Sequence, residues 1–319
     1  MKLITANAPH IRSSDNVRAI MVDVLIALIP AVIGASVFFG WYALFLCILG
    51  MVVGELIDYI IMRWIRGRKD FVPDGSGAVT GVLLALNVSA RLPVWIFLIG
   101  LIFALGVGKH VFGGLGQNIF NPALVGRAFL MISFPTYMTT WIVPGAGFFK
   151  SPWDVQTAAT PLMILKEGGQ MNVTYWDLFI GKVGGSLGET SVLLLLIGFV
   201  YLLLRKRIKV MIPVSYIGTV FVMTAIFYAI NPKFGDPIFH ILSGGLMLGA
   251  LFMATDMVTS PITRKGQLIF GLGCGVLTVV IRLFGAYPEG VSLSILFMNS
   301  LVPIIDSVTK PRVFGEVKR

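Results

Sequence analysis

Long apolar blocks separated by short polar connections dominate the chain of 319 residues. Apolar residues are nearly continuous within each block, unlike the two-residue alternation of strands or the one-sided pattern of soluble helices. Such blocks predict membrane helices, which satisfy their backbone groups internally. The chain contains ten of these segments, at roughly 20–39, 42–62, 75–90, 93–108, 119–135, 190–204, 210–230, 238–255, 267–284 and 290–306.

Interruptions and segment order predict how these helices are arranged. The runs 74-DGSGAVTG-81 and 113-GGLGQNIFNPALVG-126 break the third and fifth segments with small and turn-forming residues. Five segments precede the longest connection and five follow it, which gives the two halves opposite topology, as in inverted repeats. We therefore predict an all-α, polytopic helical membrane protein with about ten transmembrane segments, arranged as two inverted five-segment repeats with broken helices.

Composition and charge support this prediction. Hydrophobic residues make up 56% of the chain and charged residues 13%, although the net charge is +10. Of the 25 lysines and arginines, 18 fall on the side of both termini, which places the termini in the cytoplasm. We expect a multi-pass protein of the inner (cytoplasmic) membrane and no nucleic-acid partner, since no basic patch is interleaved with exposed aromatic residues.

The ten segments divide the chain into five parts. These are a cytoplasmic N-terminal segment (1–19), a first five-helix membrane half (20–135), an extracytoplasmic loop (136–189), a second five-helix half (190–306) and a cytoplasmic tail (307–319).

The extracytoplasmic loop contains the run 154-DVQTAATP-161, with a threonine directly before a proline. Pro161 favours an extended Thr160, and Ala158 and Ala159 leave the Thr160 hydroxyl clear of bulky neighbours. This arrangement suits an attachment site. It equally suits a helix start, with Thr160 as N-cap and Pro161 as the first helical residue.

Polar residues near the interrupted segments are candidates for a second site. Helix ends within a membrane can bind a cofactor or a desolvated cation, whereas ordinary helix capping would explain the same residues. The candidates are Asp74, Thr80, Asn118, Asn121 and Asp256. By contrast, Glu55 and Asp58 favour local pairing near Arg63, and His110 favours an interfacial position.

The run around Thr160 resembles a known flavin-attachment motif. Asp154, Thr157, Ala159 and Thr160 match Asp-x-x-Ser/Thr-Gly-Ala-Thr, in which a flavin transferase links FMN to the last threonine through a phosphoester. Ala158 stands where the motif has glycine, which leaves the acceptor unchanged. The resemblance implies covalent FMN at Thr160, with Asp154 and Thr157 read by the transferase.

Further runs extend the resemblance over nearly the whole chain. They are similar to the D subunits of Rnf complexes and, slightly less, to the B subunits of sodium-translocating NADH:quinone oxidoreductases. Chain length favours the Rnf proteins. The runs are 74-DGSGAVTGVLLALN-87, 113-GGLGQNIFNPALVGRAFL-130, 253-MATDMVTSP-261 and 288-PEGVSLSILFMNSLVPIID-306.

The resemblance implies a membrane subunit of an ion-translocating ferredoxin:NAD⁺ oxidoreductase, with the other Rnf subunits as partners and Na⁺ or H⁺ as the ion. It also implies a second, non-covalent flavin, riboflavin or FMN, within the membrane. A flavin phosphate or a carboxylate would then partner Arg127. Gly77 and Gly81 suit close approach to a flavin ring or, as commonly, close helix contact.

We expect the chain to act only within a complex. It has no GxGxxG run after a strand and no cysteine cluster for an iron–sulfur centre, so the nicotinamide and ferredoxin sites belong to other subunits. We predict neither catalytic residues nor a metal site. The alternatives are the B subunit of the sodium-translocating NADH:quinone oxidoreductase and an inverted-repeat solute channel or transporter, although a channel has no need of the Thr160 loop.

Overall fold

The computed structural model describes residues 16–145, 148–149, 153, 155–169, 173–189, 191–285, 287 and 289–310. The described chain is helical apart from one short antiparallel pair, in which strand β1 (Trp141–Ile142) pairs with β2 (Thr157–Ala158). The predicted all-α class is confirmed. Asp154 lies outside the described residues.

In the described part of the chain, six helices precede the strand pair. Two of them continue into a turn of π-helix, at Ile61–Ile65 after α2 and at Gly106–His110 after α4. The helices are α1 (Val17–Phe39), α2 (Trp41–Ile60), α3 (Ser76–Leu86), α4 (Val94–Leu105), α5 (Pro122–Ser133) and α6 (Pro135–Thr139).

Eight described helices follow the strand pair, and a third π-turn, Gly249–Met253, continues α12. A short 3-10 turn, Pro232–Phe234, precedes α11. The helices are α7 (Pro161–Lys166), α8 (Tyr175–Ile180), α9 (Val192–Leu204), α10 (Met211–Ile230), α11 (Pro237–Leu242), α12 (Leu246–Leu248), α13 (Arg264–Phe284) and α14 (Val291–Val308).

Membrane-length helices confirm a multi-pass membrane protein. Within the described residues, five helices are long and apolar enough to cross a membrane, and a sixth candidate is bent by 48° between Leu242 and Leu246. Four more apolar helices, α3, α4, α5 and α9, are shorter. Each of the ten predicted segments coincides with one of these helices or the bent pair; the count of ten spans stays a prediction.

Glycines bring α2 and α3 into backbone contact. A Cβ on Gly81 would lie 1.9 Å from the carbonyl oxygen of Gly50, and one on Gly77 would lie 2.6 Å from that of Gly54. For Gly77 and Gly81 we predicted either close approach to a flavin ring or close helix contact. The structure shows close helix contact.

Contacts between the two membrane halves join helices at corresponding positions in each half. The helices of the first predicted segment in each half, α1 and α9, pack together, and so do those of the fifth, α5 and α14. At the second contact, Asn299 of α14 accepts a hydrogen bond from the Asn121 backbone at 3.0 Å when its amide is oriented to satisfy both of its polar atoms. These contacts are compatible with the inverted repeat, which stays a prediction.

Candidate functional site

A cavity between α1, α3, α5 and the bent pair collects most of the predicted membrane-site residues. We call it the Asn121 cavity; its polar lining is Ser76, Thr80, Lys109, Asn118, Asn121 and Asp256, together with Thr255 and Arg207. Four of the five candidates therefore lie together. The fifth, Asp74, lines a neighbouring opening and caps α3, accepting from the Ser76 backbone at 2.9 Å.

Asn121 lines this cavity and makes hydrogen bonds to two elements. Its side chain caps α5, accepting from Ala123 N at 3.1 Å, while Pro122 takes the first helical position. Its amide also donates to the carbonyl oxygen of Met253 at 3.2 Å, at the end of the third π-turn. The predicted capping role is therefore present, and the same residue links α5 to the bent pair.

The other candidates are partly satisfied by the protein. Thr80 donates to its own helix at Ser76 O (2.9 Å), and Asp256 accepts from Thr259 Oγ1 (3.0 Å). Asn118 donates to Phe120 O at 3.1 Å, but its buried Oδ1 has no hydrogen-bond partner among the described residues. A bound group with a hydrogen-bond donor would satisfy this oxygen atom, since a buried acceptor without a partner costs free energy.

Beside the Asn121 cavity lies an ion cluster that sequence reasoning missed. Lys109 Nζ lies 2.8 Å from Asp58 Oδ1 and 2.6 Å from Ser76 Oγ, and His110 Nε2 lies 2.5 Å from the same Asp58 oxygen. Asp58 is only 1% exposed, and Lys109 and His110 are buried as well. Asp58 is therefore paired, with Lys109 and His110 as its partners, and the interfacial position of His110 stays a prediction.

The physical reason is the π-turn Gly106–His110, which places Lys109 and His110 consecutively in a buried position. Helical periodicity cannot indicate such a turn, because a π-turn inserts a residue into the repeat. Glu55 also has a different role. Its two oxygens accept from Gly75 N and Ala78 N, both at 2.9 Å, and so cap the N-terminus of α3.

A second cavity lies at the start of α7, and we call it the Thr160 cavity. Thr160 is the N-cap, with Oγ1 accepting from Met163 N at 3.2 Å and Pro161 in the first helical position. Thr160 is only 5% exposed, so the prediction that its hydroxyl stands clear of its neighbours is wrong. Thr157 is exposed on β2.

Glycine and carboxylate groups form the wall facing Thr160. The wall includes Gly184, Gly185, Glu189, Ser243, Gly244 and Glu289. The space that these residues enclose is about 10 Å³, which is room for about one water molecule. Two carboxylates face this small space, so attachment of a phosphoester to Thr160 requires the loop to rearrange and the hydroxyl to leave its capping bond.

Arg127 binds the two carboxylates that line this cavity. Its NH1 donates to Asn87 Oδ1 at 2.6 Å and to Glu189 Oε1 at 2.9 Å, and NH2 donates to Glu289 Oε2. We predicted that a flavin phosphate or a carboxylate would partner Arg127. In the structure its partners include two carboxylates. Sequence reasoning missed Glu189 and Glu289, although a buried arginine in an apolar helix signals that carboxylates must be nearby.

Comparison with known proteins relates the whole chain to one family. Residues 4–315 match the model of the NQR2, RnfD, RnfE family. The D subunit of the proton-translocating ferredoxin:NAD(+) oxidoreductase complex of Clostridium ljungdahlii is 45% identical over 97% of this chain and 95% of its own length. The D subunit of the Na(+)-translocating ferredoxin:NAD(+) oxidoreductase complex of Acetobacterium woodii is 44% identical over 100% of this chain and 97% of its own length.

Proposed function

Since the chain belongs to the NQR2, RnfD, RnfE family, we propose that it is the D subunit of an ion-translocating ferredoxin:NAD⁺ oxidoreductase. Identity of 45% and 44%, over 97% and 100% of this chain, to two proteins named as D subunits of such complexes carries the proposal. The chain acts as a membrane subunit of a redox-driven translocase and works only with the other subunits. The names of these two relatives specify different ions, so Na⁺ and H⁺ both stay open.

The subunit carries FMN bound covalently to Thr160 through a phosphoester. What supports this is the placement of Thr160: it directly precedes Pro161 and borders a glycine-lined cavity. A flavin transferase recognises the loop through Asp154 and Thr157, and the exposed position of Thr157 is compatible with recognition. When bound, the flavin supplies one-electron and two-electron chemistry.

A second flavin, riboflavin or FMN, binds without a covalent bond in the Asn121 cavity. Support comes from the convergence of Thr80, Asn118, Asn121 and Asp256 on that cavity. Asn118 Oδ1 would accept a hydrogen bond from a bound flavin, because it is buried and has no partner among the described residues. Asp74 acts indirectly, by holding Ser76 at the start of α3.

The protein lies in the inner membrane with both termini in the cytoplasm and residues 136–189 outside. The charge bias supports this orientation. An exported transferase then meets Thr160 on the outer side, and the lipid bilayer covers the long apolar helices.

Intact mass and in-gel ultraviolet fluorescence of the denatured protein test covalent attachment. The mass should exceed the sequence mass by one FMN less one water. Thr160→Ala should lose both the added mass and the fluorescence, while Thr259→Ala, a matched change beside the other cavity, should keep both. Flavin that persists on the Thr160→Ala protein would show that the attachment site is wrong.

A further inference from the structure

The Arg127 cluster, formed by Arg127, Glu189 and Glu289, places two buried carboxylates on one arginine. Each of the two guanidinium NH₂ groups binds one carboxylate, so Glu189 and Glu289 converge on a single cation. All three side chains are buried. Two carboxylates that share a buried site resist double ionisation, and one of them binds a proton more tightly than usual.

Charged groups reach Glu289 from three directions. Glu189 lies in the loop before α9, Arg127 in α5 and Arg282 in α13; the neutral Thr160 hydroxyl lines the same cavity from α7. Burial and then the Glu189 charge raise the pKa of Glu289 to about 7, against the opposing effect of the two guanidinium groups. Because the carboxylates interact, the titration belongs to the pair rather than to one residue.

The pair also has an oxygen available for a proton. Glu189 Oε2 is buried and has no hydrogen-bond partner among the described residues. Glu189, Glu289 and Thr160 all line the Thr160 cavity. A group attached to Thr160 therefore begins beside the pair, in buried surroundings where charges interact more strongly than in water.

We propose that Glu189 and Glu289 form a proton-binding site that responds to the charge of the group attached to Thr160. This coupling rests on the proposed attachment of flavin at Thr160. Binding forms one O–H bond on a carboxylate oxygen, with the proton drawn from water, and breaks no other bond in the chain. A negative charge in the cavity stabilises the protonated pair, and by linkage the protonated pair favours a negative charge there.

Infrared titration of the full chain in lipid nanodiscs tests the site through the carbonyl band of the protonated carboxyl. We expect this band to disappear as the pH rises through the neutral range, in wild type and in Thr160→Ala. Glu289→Gln and Glu189→Gln should each remove the titration, because a single carboxylate opposite Arg127 stays ionised. The matched control Glu167→Gln, at an exposed position, should leave it unchanged. The midpoint should lie at higher pH in the flavin-bearing protein than in Thr160→Ala.

Three outcomes separate the claims. A carboxyl band that does not change through the neutral range, or that survives in both glutamine variants, overturns the proton site. Equal midpoints in the flavin-bearing protein and Thr160→Ala overturn the coupling to the attached group. Covalent flavin is scored separately by fluorescence in denaturing gels: if Thr160→Ala keeps its flavin, the attachment site at Thr160 is wrong, while the titration still decides the proton site.

Discussion

At the scale of residues, the two cavities depend on side chains that join distant parts of the sequence. The Asn121 side chain binds Ala123 and Met253, and the Arg127 side chain binds Glu189 and Glu289. Each of these side chains satisfies buried groups on at least two elements. Their replacement should therefore affect the cavities beyond the loss of one side chain.

Asn121→Leu should weaken the non-covalent flavin. The change removes the N-cap of α5 and the bond to Met253 O, each worth about 1 kcal/mol, so retention should fall roughly tenfold or more. Released flavin would be measured by chromatography after mild purification and denaturation, in a Thr160→Ala background where only non-covalent flavin remains. The matched control Asn231→Leu removes an exposed cap elsewhere and should retain the flavin. Equal amounts of released flavin from the two variants would contradict the assignment of the non-covalent flavin to the Asn121 cavity.

Asp58→Asn should destabilise the protein, since it leaves the buried Lys109 without its carboxylate. Breaking a buried ion pair in this way costs about 3–5 kcal/mol, which should lower the Tm in detergent by several degrees. Asp70→Asn, at an exposed position, should leave the Tm unchanged. The double variant Asp58→Leu with Lys109→Met should recover part of the loss. A Tm equal to that of wild type in Asp58→Asn would show that the cluster is not formed.

At the scale of elements, helix positions could be predicted from the sequence more fully than their internal geometry. Apolar blocks gave the approximate bounds of every long helix, because burial in lipid requires continuous apolar sequence. The bend between Leu242 and Leu246 and the three π-turns left no periodic signal. Site residues close to helix breaks could be predicted, whereas Glu189 and Glu289 could not, since their role depends on contacts across 62 and 162 positions of the chain.

Gly81→Ala should separate α2 from α3. The new Cβ would lie 1.9 Å from the Gly50 carbonyl oxygen, and a backbone atom cannot move away by changing rotamer. We expect a loss of about 1–3 kcal/mol, as for other overpacked sites, measured as a lower Tm. Gly218→Ala is the matched control in α10, where a Cβ meets nothing within 4 Å. It should be neutral or stabilising by up to about 1 kcal/mol. Similar Tm values for the two variants would contradict the close contact.

At the scale of the whole molecule, one short helix separates the two cavities. Ser76, at the start of α3, lines the Asn121 cavity, and Asn87, at its end, binds Arg127 near the Thr160 cavity. A helix of 11 residues is about 16 Å long, against a hydrocarbon core of about 30 Å. The broken segments therefore bring the two proposed flavin positions closer together than two full membrane surfaces would be, which favours electron transfer between them.

Electron transfer between the two proposed flavin positions crosses the membrane only if the loop that contains Thr160 lies outside the cell. A cysteine at Lys182, exposed after α8, should react with an impermeant thiol reagent in intact cells. A cysteine at Lys209, exposed before α10, should react only after the membrane is opened. The native Cys47 and Cys274 are buried, so the background should be low. Labelling is read as a mass shift on a gel, with permeabilised cells showing that both positions can react. The reverse pattern in intact cells would invert the orientation, and an exported transferase would then be unable to reach Thr160.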